Sequence, residues 1–248
     1  MRKIILIFVL SFFVSCGGEE YSELSAKPKI KGSILPVYSY NFTVWDQIIS
    51  FPDGSKKFFI VINPFNGPGV VVDYQYSEFV SAINENGKIP LGYVYSSWGT
   101  RDMQEVEDDI DLWLKLYPEI KGFFIDEVEG INETFYYYKK ITDYIRSLGN
   151  FSIVLNVGAL PDEAYFDIAD LVVIFENSLD KVEDLQVSSF RDKSACLVYQ
   201  VPYEDWFETF EMVSEFCSYV FLTDDSSPTP YDSLPSYFWE EMEEIENN

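Results

Sequence analysis

Eight short apolar runs rich in Val, Ile, Phe and Tyr recur along the chain, and a longer, more polar stretch follows each of them. The runs are residues 33–39, 58–63, 90–96, 122–127, 151–157, 170–176, 195–201 and 219–224. Nearly continuous apolar strands that alternate with helices are typical of a parallel sheet covered on both faces. Eight such units without a dividing linker predict an α/β fold, a single-domain (β/α)8 TIM barrel.

Helical periodicity supports this alternation. It is clearest at residues 103–117, 132–148 and 204–216, and weaker near 43–50, 76–86, 161–168, 180–189 and 235–246. The alternative fold is an open doubly wound sheet, which normally has a glycine-rich phosphate loop after its first strand; residues 36–40 do not provide one. The acids Glu240, Glu241, Glu243, Glu244 and Glu246 are interpreted as a solvated face of the last helix.

The first residues have the pattern of a secretory signal. Arg2 and Lys3 precede an apolar run of about eleven residues that ends before Ser15 and Cys16, and the run is too short to span a bilayer as a helix. We predict a lipoprotein signal peptide at residues 1–15, lipidation of Cys16, a flexible tether over 16–31 and the barrel over 32–248. The predicted location is the bacterial cell envelope, with secretion as the alternative.

Charge and one absent residue type restrict the possible functions. Asp and Glu total 42 against 17 Lys and Arg, the net charge is −25, and there is no histidine. Such an anionic chain is a poor ligand for nucleic acids, whose binding depends on Lys and Arg. Without histidine there is no Ser-His-Asp triad and no HExxH zinc site. Acid–base chemistry therefore falls first to the carboxylates.

Two predicted strands end in carboxylates. Asp126 and Glu127 close the fourth apolar run and Glu176 closes the sixth, and barrel enzymes carry their catalytic groups at these strand ends. Paired carboxylates across a cleft are the apparatus of glycoside hydrolysis. Because consecutive strand residues point to opposite sides, at most one of Asp126 and Glu127 is expected to face the mouth directly.

Other polar and aromatic residues at strand ends are candidates for binding a sugar. These candidate substrate-binding residues are Tyr38, Asn63, Tyr93, Tyr95, Trp98, Asn156, Gln200 and Asp224. No metal or cofactor is predicted, although a divalent-cation site built from Asp126, Glu127, Asp224 and Asp225 is an open alternative. Cys196 and Cys217 are equally compatible with one disulfide and with two buried thiols.

Several segments resemble a known family. They are Pro36-Val37-Tyr38-Ser39-Tyr40, Asn63-Pro64-Phe65-Asn66-Gly67-Pro68-Gly69, Leu91-Gly92-Tyr93-Val94-Tyr95, Gly122-Phe123-Phe124-Ile125-Asp126-Glu127, Leu155-Asn156-Val157-Gly158 and Phe175-Glu176. Their order and spacing over residues 33–180 resemble the spherulin 4-like family. The resemblance implies a (β/α)8 barrel and, from the fungal members, endo-acting cleavage of α-1,4-linked N-acetylgalactosamine in exopolysaccharide. It also implies Asp126 as nucleophile or stabilising carboxylate, Glu176 as acid/base and Glu127 as a supporting acid.

The functional prediction is therefore a metal-free, monomeric endo-glycosidase anchored to the envelope and acting on a galactosamine-containing or related polysaccharide. Ser97-Trp98 replaces the shorter Thr/Tyr-containing run expected from the family, so contacts near the third strand are expected to differ. The alternative is a non-catalytic carbohydrate-binding envelope lipoprotein. An acidic cleft would also concentrate a partly deacetylated, cationic polymer, which predicts that binding weakens with added salt.

Overall fold

The computed structural model describes residues 29–51 and 54–248. Eight parallel strands pair in chain order, and β8 pairs with β1 to close the barrel. The strands are β1 (Gly32–Val37), β2 (Lys57–Ile62), β3 (Ile89–Tyr95), β4 (Gly122–Asp126), β5 (Ser152–Asn156), β6 (Leu171–Ser178), β7 (Ser194–Tyr199) and β8 (Tyr219–Leu222). The predicted (β/α)8 barrel is confirmed.

Helices connect the strands. In the described residues they are α1 (Phe42–Ser50), α2 (Tyr74–Glu85), α3 (Met103–Leu116), α4 (Phe135–Leu148), α5 (Tyr165–Ile168), α6 (Trp206–Ser214) and α7 (Phe238–Asn247). The helix predicted near 180–189 is wrong, because a short 3-10 turn, Leu179–Asp184, lies there instead, and a second one, Arg191–Lys193, follows before β7. Only Val182 is buried in the first turn, so no apolar stripe holds a longer helix.

Large aromatic side chains fill the layer between the barrel and its helices. The Trp45 ring of α1 stacks on Phe79 of α2 with 4.5 Å between centroids. Trp113 of α3 donates from Nε1 to the carbonyl of Tyr93 at 2.8 Å. A Cβ on Gly92 would lie 2.7 Å from this indole, so only glycine lets α3 approach β3 so closely. This packing fixes β3, which carries Tyr93 to the barrel mouth.

The ordered barrel contacts begin slightly before the predicted boundary at residue 32. Ile30 is fully buried, and the Lys31 amide donates to the Ser218 carbonyl at 2.8 Å. The predicted signal peptide, the predicted lipidation of Cys16 and most of the predicted tether lie outside the described residues. Within the part of the chain that the structure describes, no helix is long and apolar enough to cross a membrane.

A disulfide joins the last two strand–helix units. Cys196 of β7 is bonded to Cys217, just before β8, with 5.9 Å between their Cα atoms, and both residues are fully buried. The sequence is compatible with either a disulfide or two buried thiols, and the structure shows the disulfide. The bond ties β7 to the start of β8 next to the strand pair that closes the barrel.

The last helix carries a buried acid. Glu241 is fully buried, and its Oε1 accepts a 2.7 Å hydrogen bond from the Leu222 amide at the end of β8. Burial raises the pKa of Glu241 well above its ordinary value. The interpretation of the α7 acids as a solvated face is therefore wrong for Glu241, which instead links α7 to β8.

Candidate functional site

Three polar side chains meet where β4, β5 and β6 end at the barrel mouth. Asn156 donates from Nδ2 to Oδ1 of Asp126 at 2.7 Å and to Oε2 of Glu176 at 2.5 Å. Since both oxygens bond the same nitrogen, they lie no more than about 5.2 Å apart, the sum of the two bonds. The structure thus brings together the two carboxylates that the sequence places on strands four and six.

The second oxygen of each carboxylate accepts from a tyrosine. Tyr93 donates to Oδ2 of Asp126 at 2.7 Å, and Tyr231 donates to Oε1 of Glu176 at 2.7 Å. Tyr231 lies in the segment between β8 and α7, and its carbonyl accepts from the amide of Tyr38 at 3.0 Å, just after β1. The Tyr38 ring packs edge-on against both other rings, with centroid distances of 5.9 and 5.8 Å. Three tyrosines therefore surround the acid pair.

Backbone irregularities at the strand ends aim these side chains. In β6, the pairing with β7 passes from Val173 to Phe175 and leaves Ile174 without a partner. Such a bulge bends a strand and redirects the side chains that follow it, here including Glu176. Ser96, which follows β3, fixes the end of β4, because its Oγ lies 2.8 Å from the carbonyl oxygens of both Asp126 and Glu127.

Burial controls the electrostatics of the pair. It raises the pKa of Glu176 above its ordinary value, and the negative charge of Asp126 raises it further. The hydrogen bonds from Asn156 and Tyr231 act in the opposite direction. Burial also raises the pKa of the tyrosine hydroxyls around the pair, so these remain neutral donors. The net shift is toward the protonated form of Glu176, which is the form that a general acid needs.

Glu127 lies outside this network. It follows β4 with a left-handed backbone (φ 56°), and its Oε2 accepts from the Ser97 amide at 3.1 Å. Its carbonyl accepts from the Trp98 amide at 2.8 Å. Glu127 therefore ties the β3 loop to the β4 loop, and no side-chain hydrogen bond among the described residues joins its carboxylate to that of Asp126 or Glu176. Its role as a supporting acid stays a prediction.

Two of the predicted sugar contacts lie on the rim. Trp98 is 57% exposed and has a left-handed backbone (φ 51°), which directs an aromatic side chain outward beside the mouth. Tyr95 is covered by the guanidinium of Arg101, 4.0 Å from its ring centroid. Trp98 is therefore a free aromatic surface, whereas one face of Tyr95 is already occupied.

Two of the three other predicted contacts, Asn63 and Asp224, have a visible structural task in their loops. Asn63 accepts from the Gly67 amide at 2.9 Å and closes the Pro- and Gly-rich loop after β2. Asp224 accepts from the amide and hydroxyl of Ser236 at 3.1 and 2.6 Å. Gln200 is exposed, with a left-handed backbone (φ 59°). Whether these side chains also contact a sugar stays a prediction.

The divalent-cation alternative lacks a ligand cluster. Across residues 29–51 and 54–248, no group of three or more His, Cys, Asp or Glu side chains is arranged to hold a metal ion. Asp225 accepts from the amide and hydroxyl of Ser233, so it supports the last loop in the same way as its neighbour Asp224. The structure thus offers no support for a cation site at these acids.

Fold and site together define the class of protein: a closed (β/α)8 barrel with the two-carboxylate arrangement of glycoside hydrolases at its C-terminal mouth. The model of spherulation-specific family 4 matches residues 33–245, and the chain belongs to this family. The resemblance seen in the sequence motifs is confirmed, and the match extends through the last third of the barrel.

Two known proteins illustrate the relationship. Spherulin-4 of Physarum polycephalum is 31% identical over 147 residues, which are 58% of this chain and 44% of that protein; the match thus spans less than half of the relative's length. The crystal structure of Aspergillus clavatus Sph3 in complex with GalNAc superposes with a TM-score of 0.77 at 24% identity, covering 89% of this chain and 98% of that one. The second similarity shows the shared fold.

Proposed function

We propose that this protein is an endo-acting glycoside hydrolase that cleaves an N-acetylgalactosamine- or galactosamine-containing polysaccharide. The observation that carries the proposal is the Asp126–Asn156–Glu176 group, in which one amide nitrogen bonds both carboxylates. Family membership and the GalNAc bound to Sph3, a protein of the same fold, support this substrate class. The exposed ring of Trp98 supplies a surface on which a sugar can stack.

The short carboxylate spacing favours a retaining reaction. Retaining enzymes hold their carboxyl groups about 5–5.5 Å apart, and inverting enzymes need about 6.5–9.5 Å to admit a water between them. The facing oxygens of Asp126 and Glu176 are within about 5.2 Å of each other. We therefore assign Glu176 to protonate the leaving glycosidic oxygen while Asp126 attacks the anomeric carbon. Glu176 then deprotonates a water, which displaces Asp126 from that carbon.

Asn156 has a further part in this scheme. Its Oδ1 is buried and accepts no hydrogen bond from the described residues. Nδ2 of the same amide bonds both carboxylates, beside which the reacting sugar would lie. We assign Oδ1 to accept a hydrogen bond from the sugar, since a buried amide oxygen gains from a donor.

The test is to make Asp126→Asn and Glu176→Gln and to measure release of reducing ends from a panel of amino-sugar polymers. Glu129→Gln is the matched control, because it removes one charge from an exposed position in the loop after β4. We expect each active-site change to lower kcat at least a hundredfold and the control to retain activity. Undiminished activity in either acid variant would refute the assignment.

Binding separates this function from the alternative of a non-catalytic carbohydrate-binding protein. If the protein only binds carbohydrate, it should release no reducing ends, and the wild type and the two acid variants should bind the polymer with equal affinity. For the enzyme, proton NMR of the first product should show the anomeric configuration of the substrate. Inverted product would contradict the retaining assignment while leaving the hydrolase in place.

The acidic composition adds a substrate preference. A partly deacetylated polymer carries ammonium groups, which the carboxylates of the mouth would attract. We expect apparent KM to rise with salt, and to rise most for the most deacetylated polymer. If the KM values for acetylated and deacetylated polymers respond to salt in the same way, the negative charge of the mouth has no role in substrate choice.

A further inference from the structure

The rim at the other end of the barrel, where the strands begin, carries a cluster of lysines. Lys29 and Lys31 precede β1, and Lys56 and Lys57 lie at the start of β2, the neighbouring strand. These four side chains line one open cleft together with Ser55 and Tyr219. We refer to this surface as the lysine cleft.

The charges of the lysine cleft are largely unpaired. Lys31 forms an ion pair with Asp192 at 3.1 Å, and Lys56 donates from Nζ to the Ile30 carbonyl at 2.7 Å, whereas no carboxylate of the described residues lies within ion-pair distance of Lys29, Lys56 or Lys57. Burial and the positive charge of Lys29 lower the pKa of Lys56, which shows that like charges face each other here. An anionic ligand in the lysine cleft would reduce this repulsion between Lys29 and Lys56.

Few acids compensate the lysine cleft. Glu246, which raises the pKa of Lys56, accepts a 3.1 Å hydrogen bond from the Ser55 amide. Arg191 extends the positive surface, since its Nη1 donates to the carbonyl of Lys29 at 3.2 Å. The positive rim is thus at the opposite end of the barrel from Asp126 and Glu176, and the molecule has a basic end and an acidic mouth.

We propose that the lysine cleft binds the phosphate groups of anionic phospholipid headgroups and sets the barrel on a membrane with its mouth facing away. Lys29 is the first described residue, so the chain enters the barrel at this rim. The thirteen peptide steps from Cys16 to Lys29 extend to at most about 45 Å, which limits how far the lipid predicted on Cys16 could lie from the cleft. An anionic bilayer attracts the lysine cleft and repels the acidic mouth, which fixes the orientation.

The test uses a chain lacking residues 1–16, which retains every described residue and the closed barrel without a lipid. Its co-sedimentation is measured with vesicles of phosphatidylcholine alone and of phosphatidylcholine with one third phosphatidylglycerol. We expect at least tenfold stronger binding to the anionic vesicles at low salt, and loss of that difference at high salt. The double variant K29E/K57E should lose the binding, because both exposed side chains line the lysine cleft.

The matched control is K140E/K181E, which makes the same charge change at exposed positions on α4 and after β6, away from this rim. It should bind anionic vesicles as the unsubstituted chain does, and both variants should keep the unsubstituted chain's activity and melting temperature. Equal binding to the two kinds of vesicle, or wild-type binding by K29E/K57E, would overturn the proposal. Displacement by inorganic phosphate but not by chloride at the same ionic strength would assign the cleft to a soluble phosphate instead.

Discussion

The hydroxyl of Tyr231 donates a 2.7 Å hydrogen bond to Oε1 of Glu176, although 55 residues separate them in the chain. This bond lowers the pKa of Glu176, against the burial that raises it. Removing the hydroxyl in Tyr231→Phe should therefore raise that pKa further. Because activity is lost when the acid deprotonates, the alkaline limb of the kcat/KM profile should move to higher pH, with roughly tenfold lower kcat from poorer positioning.

Tyr38→Phe is the matched control for this prediction. Tyr38 packs against the Tyr231 ring but makes no hydrogen bond to Glu176. Its variant should leave the alkaline limb where it is, even if KM changes. An unmoved limb in Tyr231→Phe would show that the tyrosine serves only packing.

Asn156→Ala removes the donor that both carboxylates share. We expect kcat to fall about a hundredfold, in line with the loss of one preorganised donor at a reacting centre. The alkaline limb should also move upward, because the Asn156 hydrogen bond lowers the pKa of Glu176. Steady-state kinetics over a pH series measure both effects, and a variant that changes KM alone would argue for a role in binding only.

Glu127→Gln separates a structural task from a catalytic one. A glutamine oxygen can still accept from the Ser97 amide, so the link between the β3 and β4 loops should persist. We expect kcat within about threefold of wild type, far above the remaining activity of Asp126→Asn. A loss of a hundredfold with an unchanged melting temperature would instead identify Glu127 as a third acid of the reaction.

The buried carboxyl of Glu241 should make stability depend on pH. Its folded-state pKa is raised by burial, so the folded protein holds the proton more tightly than the unfolded chain. The stabilisation is complete below the ordinary pKa of Glu and is lost as pH rises through the folded-state value. The Tm of Glu241→Gln, relative to wild type, should thus increase as pH rises. The exposed neighbour Glu240→Gln should show no such trend, and a flat difference for Glu241→Gln would contradict the prediction.

Loss of the Cys196–Cys217 bond should destabilise the barrel. The bond closes a chain loop with a sequence separation of 21, for which loop entropy gives about 3 kcal/mol. Urea unfolding of the double variant C196A/C217A should show this loss, and reductant should produce a similar loss in the wild type. Reductant should have no effect on the variant. Equal stability with and without the bond would show that strand pairing alone holds β7 to β8.

The strands were predictable because parallel strands in a barrel are buried on both faces. Each predicted run agrees with its strand to within two residues at either end. The positions of Asp126 and Glu176 followed from the same pattern, since a carboxylate that ends an apolar run stands out. Asn63 stood out in the same way, but its hydrogen bond to Gly67 depends on a loop conformation that the apolar pattern does not encode.

The positions of Tyr231 and Glu241 differ from what the sequence pattern predicts, for two different physical reasons. Tyr231 lies in an irregular segment with no periodicity, and only the closure of the barrel brings it to Glu176. Glu241 shares one helix face with Phe238, Met242 and Ile245, all buried, at the spacing of an apolar stripe. The helical spacing of these apolar residues predicts that Glu241 is buried, whereas the run of acids around it indicates a solvated face.

The contact between Tyr38 and Tyr231 joins the segments that follow the first and the last strand of the barrel beside the site. Tyr231 is synthesised after β8, and its carbonyl accepts from an amide that follows β1. A chain still emerging from the ribosome has no closing strand and no donor for Oε1 of Glu176. The site is therefore completed last, because the surroundings of Glu176 are assembled only when the segment after β8 has been synthesised and the barrel has closed.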